Sequence, residues 1–348
     1  MPYCPDRRQC HTPYIRLQQL KIAFLSCSPL LPGDILLSLL KKSLFLSYSQ
    51  YLKSKYGEPV YRVAVDAGFS CPNRSDDRSR PGCSYCGISG SRAPYLGSLS
   101  DIKSQIQGTI SFLKKRYSAR KYILYFQAYS NTFAPPDRLK SIYDSALSAA
   151  PFLEMIVATR PDCLTPSIVD LLASYKELGI DVWTEIGLQS ASEITLKRIK
   201  RGHTAADFIK AFNLLKERNI KTGIHLIFGL PGEGLADILH TVTMVASLKP
   251  DGLKIHNLHI LKDSLLFQEY LTGEITVPIS DSHLFYTIKA LELLPPSTVI
   301  LRLTCDTPEE RLATPRNFLP KAQFYSKLRR EMEKQNTWQG KYFSEMNK

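Results

Sequence analysis

The sequence predicts an α/β fold built on a parallel sheet, and two observations lead there. Apolar strand patterns alternate with amphipathic helical ones six times, at about 30 residues per unit, the size of a β–α–β crossover. Regular alternation of this kind calls for parallel strands joined by right-handed crossovers. The composition agrees: 348 residues, 44% hydrophobic and 22% charged, suit one large domain or two ordinary ones and exclude a mostly disordered or collagen-like chain. An open doubly wound sheet and a barrel or partial barrel both fit, and in both the chemistry sits at the C-terminal ends of the strands.

The elements follow in order. Residues 1–45 are basic, irregular and broken by Pro5, Pro13, Pro29 and Pro32, and read as an extension ahead of the regular pattern that begins at Ser47. Residues 59–67 alternate apolar and polar and form a strand. A Gly/Pro/Ser/Arg-rich stretch, 71–94, is loop. Residues 102–117 carry apolar side chains at helical spacing. The strand at 122–127 leads to a helix at 136–149, opened by Pro136 and Asp137. The strand at 154–158 leads to a helix at 166–178, and that at 181–188 to helices at 192–200 and 205–218. The strand at 222–228 leads to a helix at 235–248, and that at 252–258 to short helices near 264–271 and 281–293. A further strand at 298–303 and a basic helix at 321–334 end the pattern.

Charge and cysteine usage narrow the class. There are 45 Lys and Arg against 32 Asp and Glu, a net charge of +13, which favours polyanionic partners without proving one. Arg7, Arg8, Arg16 and Lys21 precede an apolar run at 22–31, superficially a signal peptide. That run holds Ser26, Cys27 and Ser28, meets Pro32-Gly33-Asp34, and has no small-x-small cleavage site after it. No window has the roughly 18 uninterrupted apolar residues of a membrane helix. The expectation is a cytoplasmic protein with no membrane partner, whose thiols stay reduced and free to bind metal.

Of eight cysteines, three form the pattern Cys71-x11-Cys83-x2-Cys86 directly after the first strand. Two thiolates separated by two residues can turn onto one metal centre, and the third arrives from a Gly/Pro-containing loop. Structural zinc nearly always takes four protein ligands, and a [4Fe–4S] cluster normally takes four Cys. Three therefore leave one iron open to an exogenous ligand. Arg74, Arg78, Arg80 and Arg92 in the same loop suit a negatively charged cluster and a ligand carboxylate. A zinc site completed by a distant His or Asp, and three unrelated thiols, stand as the alternatives. Cys163 and Cys305 are single and read as small packed hydrophobes, and Cys4 and Cys10 are not expected to bind metal.

A three-Cys loop after strand one, with an aromatic Tyr85 before Cys86, resembles the radical S-adenosylmethionine (SAM) superfamily. The likeness extends through DAGFSCPNR, PGCSYC, YFQAYSNTFAP, ATRPDCL, EIGLQSAS, IKRGHT, IFGLPGE, KIHNLHILK, RLTCD and TWQGKYF. Together these resemble the YhcC-type radical SAM proteins, relatives of the elongator catalytic subunit, from about Tyr48 to Phe343. The resemblance implies a partial (β/α)6 TIM-like barrel with a basic C-terminal helical extension, divided into a 1–45 extension, a 46–305 core and a 306–348 extension. It implies a [4Fe–4S] cluster on Cys71, Cys83 and Cys86, and an electron donor such as flavodoxin or ferredoxin. Reductive cleavage of SAM would then give methionine and a 5′-deoxyadenosyl radical that takes hydrogen from substrate.

The resemblance also assigns cofactor contacts. Where the superfamily often has Gly-Gly-Glu after strand two, this chain has Gln-Ala-Tyr-Ser-Asn, so Gln127 and Ser130 would hold the SAM amino group; an ordinary βα loop is the other reading. Gln189 and Arg201 resemble the SAM-contacting pair of the coproporphyrinogen oxidase branch. His225 stands where that branch places an Asp for the ribose hydroxyls, and a core histidine reads as well. Glu185, buried in the barrel, needs a partner and is a candidate contact. Gly229 is expected to let the backbone approach the adenine side of SAM. Arg160, His256 and His259 are weaker candidates for substrate contact.

The leading function is a radical SAM enzyme. The elongator kinship points to tRNA as substrate, with a small-molecule metabolite as the other candidate. The basic extension, the run of Lys114, Lys115, Arg116 and Arg120, and the basic C-terminal helix are candidates for a phosphate-reading rim at the barrel mouth, and the other reading of the run is the solvated end of the first helix. A non-catalytic, metal-stabilised RNA-binding protein is the alternative from another class.

Overall fold

The computed structural model describes residues 43–75, 78–90, 92–93, 96 and 101–344. The part of the N-terminal extension before residue 43, with Cys4 and Cys10, lies outside them. Seven parallel strands form one sheet in the order β1-β2-β3-β4-β5-β6-β8. They are β1 (Val60–Val65), β2 (Lys121–Phe126), β3 (Glu154–Thr159), β4 (Asp181–Gln189), β5 (Lys221–Phe228), β6 (Gly252–Asn257) and β8 (Val299–Arg302). The sequence-predicted strand at 298–303 thus extends the six-unit series as a seventh, edge strand.

The sheet curls. Arg62 on β1 reaches within 3.7 Å of Glu185 on β4, although three strand spacings would separate them by about 14 Å in a flat sheet. Inward positions recur at every second residue, as the pleat requires. Ile123 and Tyr125, Ile156 and Ala158, and Trp183 form one interior cluster with Ala64. The lower end of the barrel is filled by Leu301, whose Cδ1 lies where a Cβ on Gly223 or Gly252 would fall, at 2.8 and 2.9 Å. The opposite residues of each strand pack outward under the helices, which is why β2 and β3 are buried on both faces.

Outside the sheet run α1 (Tyr48–Tyr56), α2 (Ile102–Tyr117), α3 (Pro136–Leu147), α4 (Pro166–Glu177), α5 (Glu193–Arg198), α6 (Ala205–Glu217), α7 (Leu235–Ser247), α8 (Leu266–Leu271), α9 (Ser280–Leu293) and α10 (Lys321–Lys334). Sequence periodicity found these helices to within two residues at each end, except α1. Ser47 and Gln50 form a capping box that starts α1, and Gly57 at φ 77° stops it. A two-stranded antiparallel ribbon, β7 (Ile260–Leu261) with β9 (Leu312–Thr314), is too short to leave a periodic signal.

The basic run is not where the sequence reading put it. Lys114, Lys115 and Arg116 occupy the last turn of α2, which leads into the start of β2. Arg120 pairs with Glu58, just ahead of β1, at 2.9 Å. These cations therefore lie at the end of the sheet where strands begin, away from the mouth. They also complement the α2 dipole, a sufficient local reason for them.

The C-terminal helix packs into the main core: Phe324, Leu328 and Met332 are fully buried in one cluster with Phe45 and Leu291. Gln339, from TWQGKYF, fastens the edge of the sheet. Its Nε2 donates to Pro295 O and Thr298 O, and its Oε1 accepts from Leu46 N. Leu46 O in turn accepts from Ile300 N of β8.

Two predictions follow from this packing. Leu328→Ala should lower stability by about 2–5 kcal/mol in urea unfolding, the cost of a buried Leu truncation. His283 on α9 is fully buried, with Nε2 donating to Leu303 O at 2.8 Å, and burial pushes its pKa down to about 4. The folded value lies below the unfolded one near 6.5, so between these values the unfolded chain binds more protons. Stability should fall as pH drops from 6.5 to 4, by on the order of 3 kcal/mol for this group. His283→Gln should flatten that limb of a stability–pH series.

Candidate functional site

A cavity of about 260 Å3 opens at the C-terminal ends of the strands. One wall is the loop after β1, which brings Cys71, Cys83 and Cys86 to the same space. Cys86 N donates to Cys83 O, closing a tight turn, and Ser84 is gripped on both sides, by Ile199 O and Leu266 N. Asn73 Nδ2 donates to Lys200 O and Arg201 O at 2.8 and 2.9 Å, docking the loop on the segment after α5. Arg74 threads behind it, with Nη2 donating to Gly87 O at 2.8 Å. Gly82 sits at φ 82°, and a Cβ there would fall 2.9 Å from the Arg74 guanidinium, so glycine is required on both counts.

Cys83 is the most charge-compensated thiol. Its Sγ accepts from Asn73 Nδ2 at 3.2 Å, Arg201 Nη1 at 3.5 Å and Arg160 Nη1 at 3.8 Å. Burial alone would raise its pKa, yet Arg201 and Arg160 bring it below its ordinary value. Cys86 goes the other way: burial, then the neighbouring Cys83, pushes it up to about 11. Arg160 is itself fixed by a two-point pair with Asp162.

The opposite wall and floor hold a buried ionic network. Glu185 Oε2 accepts from Tyr125 Oη at 2.7 Å, His225 Nε2 at 2.6 Å and Lys254 Nζ at 2.8 Å. Burial would raise the Glu185 pKa, but Lys254, His225 and Arg62 hold it well below the carboxylate range. Burial lowers Lys254 to about 8 and His225 to about 4.

All six sequence-predicted cofactor contacts line this one cavity: Gln127, Ser130, Glu185, Gln189, Arg201 and His225. Ser130 is fully buried, and its hydroxyl accepts from Cys163 Sγ at 3.7 Å. Gln189 adopts φ 76° at a register shift between β4 and β5. A Cβ on Gly187 would meet the Gln189 amide and Arg201 Nη2 at 2.5 and 2.6 Å, so Gly187 lets these two side chains cross the strand end. His225 lines the cavity and is held by Glu185, a bond that a satisfied core histidine and a cofactor contact would both make.

Other expectations are corrected. Gly229 is not among the cavity-lining residues; its φ of 86° and a Cβ position 2.3 Å from Pro278 Cγ each require glycine there. Of the four loop arginines, Arg74 lines the cavity, while Arg78 donates to Phe69 O and Arg92 pairs with Asp66. His259 bonds Asn257 and Thr307, away from the site, whereas His256 lines it. Cys305 packs against Asn257.

Lys254 and Arg302 went unread in the sequence, as did the parts played by Arg62 and Tyr125. The signal was present in GLKIHN: in a strand buried on both faces, Gly252, Lys254 and His256 share one side and Leu253, Ile255 and Asn257 the other. A polar side facing a barrel interior marks a site.

Among the described residues no three His, Cys, Asp or Glu side chains stand close enough to grip a single ion. A cluster asks for wider spacing, because each thiolate binds a different iron. The donor set, three thiols on one cavity wall with two guanidiniums directed at the Cys83 sulfur, fits a thiolate-bound cluster in chemistry and charge.

The Radical SAM superfamily model matches residues 71–245, and the Radical_SAM C-terminal domain model matches residues 250–334. Protein YhcC of Escherichia coli (strain K12) is 37% identical over 268 residues, covering 76% of this chain and 84% of that protein. Protein YtqA of Bacillus subtilis (strain 168) is 32% identical over 296 residues, covering 85% and 92%. Elongator complex protein 3 of Dictyostelium discoideum is 31% identical over 156 residues, 44% of this chain but 27% of that one. The solved archaeal Elp3 of Methanocaldococcus infernus superimposes with a TM-score of 0.64 at 20% identity, covering 80% of this chain and 64% of that one, a likeness of fold. With the three-cysteine loop at the mouth of a parallel half-barrel, these matches show that the chain is a member of the radical SAM superfamily and an enzyme of that class.

Proposed function

We propose that the chain binds a [4Fe–4S] cluster on Cys71, Cys83 and Cys86 and cleaves SAM reductively within the cavity. The observation that carries this reading is the set of three thiols on one wall, with Arg201 and Arg160 on Cys83, facing six polar side chains at cofactor positions. Held by Cys71, Cys83 and Cys86, a cluster reduced by an external electron donor would supply one-electron chemistry for reductive cleavage of the SAM sulfonium bond to methionine and a 5′-deoxyadenosyl radical. The chain's own residues do the rest. Arg201 offsets thiolate charge and stands beside Gln189. Gln127 and Ser130 present oxygens toward the amino group of SAM. Glu185, held through Oε2, keeps an Oε1 with no hydrogen-bond partner, an acceptor for a ribose hydroxyl. The barrel walls keep water from the reacting carbon.

Anaerobic reconstitution followed by dithionite and SAM tests this reading. Wild type should bind about four irons and form 5′-deoxyadenosine. Cys83→Ala should lose both, whereas Cys163→Ala and Cys305→Ala should keep full iron content. If Cys163→Ala loses iron as Cys83→Ala does, the ligand set is wrong.

A tRNA substrate is supported by the +13 charge and by the elongator relatives. With the α2 run at the far end, the cations that serve this reading are Lys197, Lys200, Lys262 and Arg316. All are exposed, on segments that follow β4, β6 and β8. Changing Lys200, Lys262 and Arg316 to Glu should weaken tRNA binding and lower its salt slope, while the same change at Lys114, Lys115 and Arg116 should not. Filter binding at several salt concentrations decides; the reverse pattern, or no tRNA binding at low salt, favours a small-molecule substrate.

A further inference from the structure

We propose that the floor of the cavity is an oxyanion subsite, in which Arg302, Lys254 and His256 receive a carboxylate or phosphate group of the substrate. The proposal rests on the radical-enzyme reading only for calling that ligand a substrate.

Charge is the first argument. The residues facing the floor come from six strands: Arg62 on β1, Tyr125 on β2, Glu185 on β4, His225 on β5, Lys254 and His256 on β6, and Arg302 on β8. Three are cations and one is a carboxylate. Burial holds His225 near 4 and His256 well below its ordinary value, so both are neutral at pH 7. Glu185 offsets one cation, and two remain in surplus. Lys321 at the start of α10 adds a positive field that the exposed Asp306 partly offsets, leaving the floor surplus with Arg62, Lys254 and Arg302. Uncompensated charge in a water-poor cavity is costly, and an incoming anion removes that cost.

Geometry is the second. β6 and β8 pair Gly252 with Val299 and Leu253 with Ile300, but Lys254 with Arg302. That register shift skips Leu301. In an unbroken ladder Leu301 would stand opposite Lys254, and Arg302 would point to the other face. The bulge instead puts Leu301 inward at the bottom of the barrel and Arg302 inward above it, beside Lys254. Bulges commonly re-aim a side chain in this way.

Unmet hydrogen bonding is the third. His256 Nε2 is buried with no hydrogen-bond partner, and so are Arg62 Nε and Nη2, the latter only in a loose 3.7 Å ion pair with Glu185. Arg302 has no hydrogen bond or salt bridge among the described residues, although it lines the cavity. A guanidinium offers two parallel N–H groups to an oxyanion, and the Lys254 ammonium adds a point charge. The anchored group would sit on the floor, across from the cysteine loop. The substrate carbon attached to it would then project toward the cofactor.

The test uses the full chain, reconstituted with its cluster. Its thermal unfolding is followed in acetate, in inorganic phosphate and in chloride at fixed ionic strength, with and without SAM. The expected result is saturable stabilisation by acetate or phosphate beyond chloride. Preference for acetate identifies a carboxylate ligand, and preference for phosphate a phosphoryl one. Arg120→Met, at the far end of the barrel, should behave as wild type. Arg302→Met and Lys254→Met should shift the midpoint at least tenfold. If Arg302→Met does not fold, Arg302→Lys keeps the charge without the fork and should bind at least threefold more weakly. No excess over chloride, an unchanged midpoint in the Arg302 variants, or an equal loss in Arg120→Met would each overturn the proposal. Displacement of the anion by SAM would overturn it too, because the floor would then hold the carboxylate of SAM itself. Iron content and 5′-deoxyadenosine formation by the wild type report separately on the radical-enzyme reading.

Discussion

The interior of this barrel is organised around one buried carboxylate. Glu185 is 1% exposed and could not remain ionised there unless several donors converged on it. Tyr125, His225 and Lys254 do so on one oxygen, while Arg62 approaches the other. These side chains come from β1, β2, β5 and β6, so satisfying Glu185 requires the sheet to curl until those strands face one another. Replacing such a network by apolar residues often costs nothing or even stabilises a protein, whereas removing one member leaves a stranded charge. Its value here is therefore specificity of arrangement. It fixes which side chains meet at the centre of the barrel and at what depth.

The cysteine loop is constrained from outside instead. It carries little regular structure, yet it is not free, because the Asn73 side chain and the Ser84 backbone pin it to the segment that ends α5. The same segment supplies Arg201, whose guanidinium bridges Cys83 Sγ and Gly187 O. One short stretch thus locates the thiol wall and ties it to the end of β4 at Gly187, two residues beyond Glu185. Small residues make this possible. Gly187 leaves room for Gln189 and Arg201 to cross, and Gly82 lets the loop fold over Arg74. Loop docking and barrel interior meet on the same strand.

Much of this was legible in the sequence, and the parts that were not share a physical cause. The β/α period gave the strands and outer helices because each helix buries one stripe and each strand two faces. The three cysteines were legible as a candidate metal loop from their spacing, and the fold brings all three to one cavity wall. α1 was missed because nine residues with one buried side chain, Leu52, leave almost no periodicity, although the Ser47–Gln50 box was there to read. β7 and β9 have two and three residues, too few to show an alternation. Gly229 was misassigned because a glycine needed for close approach does not reveal what approaches it, and here it is Pro278. The basic run was placed at the wrong end because a charge pattern carries no direction. In a β/α chain the direction comes from topology: a residue late in a helix belongs to the end where the next strand begins. Lys254 and Arg302 were missed because each is a lone cation in an apolar strand, and only the curl of the sheet turns them toward each other.

The cavity therefore has two chemically different ends. The thiol wall joins sulfurs to guanidiniums, so thiolate charge is already partly compensated by Arg160 and Arg201. The floor joins one carboxylate to more cations than it can neutralise. The bulge in β8 sharpens this contrast. A regular ladder would have turned Arg302 out of the interior and left the floor with one surplus cation instead of two. Instead the fold gives up a stretch of edge pairing and takes a third cation into the barrel. A chain selected only for stability gains nothing from that exchange, because both the lost ladder contacts and the surplus charge act against folding. The arrangement makes physical sense if the floor is completed by a group the protein does not itself contain.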